Sequence, residues 1–260
     1  MESDYKPFAF GLAKKAGQII KTNFTLWMGK QWKSDNTPVT ETDLVINKLV
    51  IDSVKKEFPY HSILAEEGSD FSDQSEFVWV CDPVDGTIPF SHGIPTCVFS
   101  LGLVRSGEAV LGIVYDPFME RLFFAEKGNG SFLNDKRLSV SPATGWKSQL
   151  VGVSVWKNLR INSSAIGEEL VERGAHVINV GSITYMGALL ASGELAATVF
   201  QGNKPPDTAA LKVIVEEAGG RVTDLFGNEQ RYDRDINGHT ITNGILHKEL
   251  VEMVSKHIKR

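Results

Sequence analysis

The 260-residue sequence predicts a mixed α/β (α+β) fold. Three observations support this prediction. Apolar residues recur at helical spacing near the amino terminus, β-rich runs form a meander over residues 96–124, and strands alternate with helices from residue 150 onwards. A composition of 42% hydrophobic and 23% charged residues is typical of a globular protein with a sizeable core.

The first half of the chain should contain two helices followed by strands. Phe8, Leu12, Ala16, Ile19 and Ile20 predict an amphipathic helix within about the first 25 residues. A turn-rich connector at 33–38 leads to a second helix, for which Thr40 is the expected cap with Asp43 at the third position. Strands are expected at 62–65 and 77–81, and the meander adds three more, separated by turns at 105–107 and 117–120.

The second half should alternate strands and helices. The expected order is strand 150–154, helix 164–173, strand 176–180, helix 181–192, strand 195–200, a helix from about 205 that ends at Gly219-Gly220, and a last helix at 247–258. The polar, weakly patterned segment 144–149 predicts a sub-domain boundary. Residues 1–146 would then form an α+β unit carrying most candidate ligands, and residues 147–260 an α/β unit carrying Asp207 and the substrate-side loops.

Charge and cysteine content limit the possible partners and location. A net charge of −5 argues against a nucleic-acid polymer as the partner. The two cysteines, Cys81 and Cys97, do not form a disulfide framework, which favours the cytoplasm. The first residues, with Lys14 and Lys15 inside the apolar pattern, fit neither a signal peptide nor a membrane span.

The segment Cys81-Asp82-Pro83-Val84-Asp85-Gly86-Thr87 suits a site for a metal ion and a phosphate. It follows an apolar strand, so we expect Asp82 at that strand's carboxyl end, where ligand sites collect in α/β proteins. Pro83 stiffens the turn and leaves the Val84 carbonyl available as a ligand. Gly86 allows close approach of an anion, and if a helical turn starts there, the Gly86 and Thr87 N–H groups would hold phosphate oxygens.

Four acidic residues lie at predicted strand ends or helix starts: Glu66, Asp82, Asp85 and Asp207. Carboxylates about 5 Å apart repel by roughly 3 kcal/mol at an effective dielectric of ~20, so such a cluster requires cations. Oxygen ligands select Mg²⁺, and two ions would neutralise four carboxylates while a third would balance a phosphate dianion. This charge balance predicts a metal-dependent phosphatase with an activated water as nucleophile, oriented or deprotonated by Thr87 and Asp43.

Each of these motifs also has a plainer interpretation. Alone, Asp-Pro-x-Asp-Gly-Thr is a turn, Glu66-Glu67 a solvated turn, and Asp207 a helix N-cap. Other chemistries fit less well. The six histidines lack the pair spacing of a zinc site, and the calcium-like loop from Asp233 has Gly244 at its twelfth position, where a glutamate is needed. Asp82 and Asp85 are three residues apart, whereas an aspartyl-phosphate phosphatase would place its two acids two apart.

Over essentially its whole length the chain resembles the inositol monophosphatase family of Mg²⁺-dependent, lithium-sensitive phosphatases. The resemblance implies the layered α-β-α-β-α sandwich shared with fructose bisphosphatases, two or three Mg²⁺ ions, a small phosphorylated metabolite as substrate, and a homodimer. The motifs that carry it are Val39-Thr40-Glu41-Thr42-Asp43, Ala65-Glu66-Glu67-Gly68, Asp82 to Thr87, and Asp207-Thr208-Ala209-Ala210 ahead of Glu217-Ala218-Gly219-Gly220.

The resemblance also implies roles for individual residues. Glu66, Asp82 and the Val84 carbonyl resemble the first metal's ligands. The second ion would be held by Asp82, Asp85 and Asp207. Asp43 and Thr87 resemble the water-activating pair, which with Glu66 forms the catalytic set. Lys33 and Glu67 are possible further members. The implied substrate-binding residues are Asp85, Gly86, Thr87, Gly181, Ser182, Phe200 and Asp207.

Three positions depart from the family pattern. Pro206 replaces a tryptophan before the last aspartate, Pro89 replaces an asparagine, and Phe200 takes the place of the acidic residue that binds inositol hydroxyls. The expected activity is a Mg²⁺-dependent phosphomonoesterase for a small polyol or sugar phosphate similar to inositol 1-phosphate. Histidinol phosphate, fructose 1,6-bisphosphate and nucleotide 3′-phosphate are alternative substrates, and a non-catalytic metal-binding scaffold is the alternative from another class.

Overall fold

The computed structural model describes residues 5–34, 37–72, 74–155 and 160–259. Residues 35 and 36 of the predicted connector lie outside this part. The helices are α1 (Tyr5–Asn23), α2 (Glu41–Glu57), α3 (Thr87–Ser91), α4 (Ser163–Glu172), α5 (Ile183–Ala191), α6 (Ala209–Glu216) and α7 (His247–Lys256). The strands are β1 (Gln31–Trp32), β2 (Pro38–Val39), β3 (Ser62–Ala65), β4 (Phe77–Asp85), β5 (Val98–Arg105), β6 (Glu108–Asp116), β7 (Arg121–Glu126), β8 (Gly130–Leu133), β9 (Lys136–Arg137), β10 (Leu150–Val153), β11 (His176–Ile178), β12 (Ala197–Phe200), β13 (Arg221–Thr223) and β14 (His239–Thr242).

A seven-stranded sheet forms the first β layer, in the order β3-β4-β5-β6-β7-β8-β9. β3 is parallel to β4, and the remaining neighbours are antiparallel. Helices α1 and α2 cover one face through a core that includes Ile20, Ile46 and Trp79. Thr40 caps α2 as predicted, and its N–H donates to Asp43 Oδ2 at 2.8 Å.

The second sheet has five strands in the order β11-β10-β12-β14-β13. One core cluster joins its outer face to α4 and α7, with Val151, Ile166 and Leu250 as members. Another cluster joins α5 and α6 to both sheets. The layers are therefore α1/α2, seven-stranded sheet, α5/α6, five-stranded sheet and α4/α7. The α-β-α-β-α arrangement implied by the resemblance is confirmed.

The main correction to the predicted elements concerns the carboxyl end of the strand expected at 77–81. β4 continues to Asp85, and its register against β5 shifts between Asp82 and Asp85. Pro83 lies in this bulge, where its missing N–H interrupts no regular ladder. Asp82 is therefore inside a strand and not at its end. The short strands β1, β2, β8, β9, β13 and β14 were not predicted. None of the described helices combines the length and hydrophobicity that crossing a bilayer requires.

Candidate active site

Three carboxylates meet where β4 approaches the start of α6. Asp82 and Asp85 stand on β4, and Asp207 ends a 3-10 turn, Pro205–Asp207, just ahead of α6. One carboxylate oxygen from each lies within 4.8 Å of the others. Close packing of α6 on the seven-stranded sheet makes this possible, because a Cβ added to Gly112 would lie 2.3 Å from the Ala210 carbonyl. The structure thus brings together three of the four predicted acidic ligands in one cluster.

The cluster is poorly solvated and carries excess negative charge. Burial, followed by the charge of Glu66 and then of Asp85, raises the pKa of Asp82 well above its usual value. Burial and then the charges of Asp85 and Glu66 raise the pKa of Asp207 in the same direction. Among the described residues, no lysine, arginine or histidine forms an ion pair with Asp82, Asp85 or Asp207. A compact set of oxygen donors without a counter-ion fits a hard divalent cation such as Mg²⁺.

Asp85 is held by the amino terminus of α5. Its carboxylate accepts hydrogen bonds from Ser182 Oγ at 2.9 Å, from the Ile183 N–H at 3.3 Å and from the Thr184 N–H. Burial raises the pKa of Asp85, while the bonds from Thr184 and Ser182 act in the opposite direction. These bonds fix the orientation of the Asp85 carboxylate, a predicted metal ligand, and their donors lie about a hundred residues away in the sequence.

Gly181 and Ser182, expected to contact substrate, lie in different environments. Gly181 lines the cleft with a left-handed backbone. Ser182 is fully buried; its hydroxyl donates to Asp85 and accepts from the Tyr185 N–H, so that it caps α5. The arrangement gives Ser182 a positioning function toward Asp85, and its contact with substrate stays a prediction.

Thr87 and Asp43 are in contact, as the water-activating pair requires. Thr87 Oγ1 lies 3.2 Å from Asp43 Oδ1 and 3.0 Å from the Val84 carbonyl oxygen. The other Asp43 oxygen accepts the N–H and the hydroxyl of Thr40, which orients the carboxylate. Burial raises the pKa of Asp43 against these hydrogen bonds. The single Thr87 hydroxyl hydrogen has two acceptors, so its direction can change without movement of either residue.

The predicted helical turn after Gly86 is present as α3. Gly86 has φ = +97°, and a Cβ at this position would lie 2.9 Å from the Thr96 carbonyl oxygen and 3.1 Å from Ser182 Cβ. Both the backbone conformation and the space therefore require glycine. The start of α3 consequently lies close against α5 and beside the acidic cluster.

Glu66, Glu67 and Lys33 form an ion-pair group at the edge of the cluster. Lys33 Nζ contacts Glu66 Oε1 at 2.9 Å and also binds Glu67. Burial alone would lower the pKa of Lys33, but its hydrogen bond to Glu67 and the charge of Glu66 outweigh burial and raise that pKa. The Glu66 N–H donates to the Cys81 carbonyl at 3.2 Å, which holds Glu66 beside Asp82. Lys33 and Glu67, the two further site residues suggested by the sequence, thus lie next to the predicted metal ligand Glu66.

A cleft of about 930 Å³ opens above these groups. Glu66, Asp82, Val84, Asp85 and Asp207 all line it, together with Gly86, Thr87, Gly181 and Phe200. The sequence interpretation missed part of its wall: Thr96, Ser154, Val155, Asn179 and Val180. Ser154 and Asn179 directly follow β10 and β11, so the predicted ends of those strands were an available signal.

Comparisons with known proteins show what the chain is similar to. The model of the inositol monophosphatase family matches residues 1–259. The chain is 32% identical over 254 residues to a Thermotoga maritima fructose-1,6-bisphosphatase/inositol-1-monophosphatase, covering 97% of this chain and 96% of that protein. It is 33% identical to inositol monophosphatase 1 of Solanum lycopersicum, covering 94% and 92%. The solved structure of a Thermotoga maritima IMPase superposes with a TM-score of 0.89 at 30% identity, covering 98% of both chains.

Proposed function

Because the chain belongs to the inositol monophosphatase family, whose members hydrolyse phosphoric monoesters, we propose that this cleft binds Mg²⁺ and hydrolyses the phosphate ester of a small polyol or sugar. Its activity as a phosphatase follows from the family. The observation that supports the metal dependence is that one carboxylate oxygen from each of Asp82, Asp85 and Asp207 lies within 4.8 Å of the others. This cluster lies beside the hydrogen-bonded pair Thr87 and Asp43. Inositol 1-phosphate is the first substrate to test.

The donor set suggests where the ions bind. Asp82, Asp85 and Asp207 would hold one ion, and Glu66, Asp82 and the Val84 carbonyl a second. A third ion would balance the charge of a phosphate dianion. Bound Mg²⁺ supplies positive charge that offsets the carboxylates and polarises both the phosphate ester and a water molecule.

Groups of the protein would then transfer the proton and orient the phosphate. When its hydrogen points to Asp43, Thr87 Oγ1 offers a lone pair to a water in the cleft and can pass that water's proton to Asp43 Oδ1. The water oxygen forms a new bond to phosphorus while the bond to the ester oxygen breaks, and the departing alkoxide takes a proton from solvent water to leave as the alcohol. Asp43 then returns its proton to solvent. The backbone at the start of α3 would orient the phosphate oxygens.

Three further expectations accompany this proposal. We propose a cytoplasmic location, which the two buried, free thiols Cys81 and Cys97 support. A homodimer and inhibition by lithium rest on the resemblance alone. Light scattering of the purified protein would measure its oligomeric state. Phosphate release at increasing LiCl concentrations would measure inhibition by lithium.

The variant Asp82→Asn tests the proposed centre. We expect phosphate release from the preferred ester to fall by about 10³-fold or more, because this residue would serve both ions, while circular dichroism stays native. Asp52→Asn is the matched control, since Asp52 is an exposed residue of α2 that pairs with Lys48. It should keep the wild-type rate.

The substrates for this test are inositol 1-phosphate, fructose 1,6-bisphosphate, histidinol phosphate and a nucleotide 3′-phosphate. Near-normal activity of Asp82→Asn would contradict the proposed centre. Mg²⁺-dependent thermal stabilisation of the wild type without phosphate release from any ester would instead support the scaffold alternative.

A further inference from the structure

Apolar side chains line much of the cleft beyond its acidic cluster. They include Pro89, Ile94, Val155, Val180, Phe200 and Pro206. Polyols bind through hydroxyl groups, which need hydrogen-bond acceptors and donors on the wall. The composition of this wall therefore bears on the alcohol half of the substrate.

Phe200 stands directly beside a predicted metal ligand. A Cβ atom added to Gly202 would lie 2.2 Å from the Phe200 ring and 3.2 Å from Asp207 Oδ2. The gap between the ring and the carboxylate is therefore about as wide as one methyl group. The ring also packs on the buried His239, with centroids 5.5 Å apart and an interplanar angle of 49°. An aromatic face is thus fixed next to the position where the phosphate would be bound.

Several polar side chains of the wall are hydrogen-bonded to other groups of the protein. Thr96 Oγ1 donates to the Val180 carbonyl at 2.8 Å, and Asn179 Oδ1 accepts from the Gly181 N–H at 2.9 Å. Lys204 Nζ binds Asp235 at 3.0 Å. Among the described residues that line the cleft, the acidic side chains are Glu66, Asp82, Asp85 and Asp207, which all belong to the proposed metal centre.

Ser154 is the exception on this wall. Its hydroxyl is buried and has no hydrogen-bond partner among the described residues, although the residue lines the cleft. At most one substrate hydroxyl could pair with this oxygen. A ring with hydroxyls on every carbon would leave most of them unpaired against Phe200 and Pro206, which lowers affinity.

We propose that the alcohol half of the substrate is a hydroxyl-poor ring, deoxygenated or O-alkylated, whose C–H face packs against Phe200 and Pro206. The inference rests on the proposed phosphatase function and replaces its polyol or sugar by a ring that keeps few free hydroxyls. Phe200 is then a specificity-determining residue. Each buried methylene should improve the specificity constant about fourfold, so three in contact with the wall should improve it about 60-fold.

Cyclohexyl phosphate and inositol 1-phosphate form a matched pair for the test, since they share a six-carbon ring and differ in its hydroxyls. We expect the wild type to show a KM for cyclohexyl phosphate at least tenfold lower. Phe200→Glu should reduce this preference at least tenfold, whereas Phe200→Leu should keep it within about threefold. Phe118→Leu, a partly buried phenylalanine packed against the α1/α2 core and outside the cleft, is the control.

Equilibrium binding of cyclohexylmethylphosphonate with Mg²⁺, which involves no turnover, separates two failures. If the phosphonate binds and Phe200→Glu weakens its binding, but no ester is hydrolysed, the packing of the ring against Phe200 stands and the proposed phosphatase function is wrong. If both esters are hydrolysed and inositol 1-phosphate has the lower KM, or if Phe200→Glu leaves the ratio unchanged, the hydroxyl-poor ring is wrong. Melting temperatures show whether each variant is folded.

Discussion

Replacing Asp207 by asparagine should stabilise the metal-free protein and weaken its response to Mg²⁺. Asp207 shares a cluster with Asp82 and Asp85, and no described residue donates a hydrogen bond to its carboxylate. Removing this charge therefore relieves repulsion and breaks no hydrogen bond that the described residues make. The same change removes a predicted metal ligand, so the effect on stability should reverse when Mg²⁺ is added.

The size of the effect follows from the spacing of the carboxylates. Two charges 4.8 Å apart repel by about 3 kcal/mol at an effective dielectric of ~20. Burial and the charges of its neighbours also raise the pKa of Asp207, so some of this repulsion is expressed as a shifted protonation equilibrium. We therefore expect a gain of about 1–3 kcal/mol, or a melting temperature higher by roughly 2–10 °C for a chain of this size.

Thermal unfolding in EDTA and in saturating Mg²⁺ measures both effects. The wild type should gain about 2.7 kcal/mol when Mg²⁺ is present at 100 times its dissociation constant, and Asp207→Asn should gain much less. Asp235→Asn is the control, because Asp235 is exposed and its partners among the described residues are the nearby Asn203 and Lys204. A variant that melts at or below the wild type in EDTA, or that retains the full Mg²⁺ shift, would refute this reasoning.

Two other substitutions test separate parts of the structure. Gly86→Ala should lower kcat/KM about 100-fold, because the added Cβ would displace the backbone that carries Thr87. Gly128→Ala is the control, because Gly128 has a similar backbone strain, with φ = +82°, but open space around the added Cβ. This variant should retain activity. Glu169, whose side chain is 13% exposed, accepts hydrogen bonds from Lys256, His257 and Arg173, which lower its pKa to about 2. The folded pKa lies below the unfolded value of 4.5, so this stabilisation is present above about pH 5 and declines toward pH 2. Glu169→Gln should cost about 1–2 kcal/mol at pH 7, discounted because the cations are exposed, and less at pH 3 in urea unfolding; an equal cost at both pH values would contradict this assignment.

Sequence patterns predicted the elements that local chemistry determines. α2 begins at the expected capping residue Thr40, and β5, β6 and β7 form the expected meander. β13 and β14 were missed because they are only three and four residues long and carry polar residues such as Arg221 and His239, so that they pair through tertiary context and not through a periodic pattern. The end of β4 was misplaced because Pro83 normally ends a strand, and a bulge cannot be foreseen from one chain.

The acidic cluster was predictable from residue type, while its supporting contacts were not. Asp82, Asp85 and Asp207 meet as expected. The bonds from Ser182, and from the backbone of α5, to Asp85 join segments about a hundred residues apart, and they depend on how α5 packs between the two sheets. Sequence spacing carries no information about such a contact, so Ser182 was interpreted only through a family resemblance.

The placement of the acidic residues also has a consequence for how the chain assembles. Asp82 and Asp85 belong to one sheet, whereas Asp207 enters from the turn that leads into the middle helical layer. An ion bound by all three would act as a removable cross-link that closes a loop of more than 100 residues, and restricting a loop of that length is worth roughly 4–5 kcal/mol in chain entropy. Chelators should then loosen the association of the layers before they unfold either sheet, and a chain released before Asp207 has been synthesised would lack the link altogether.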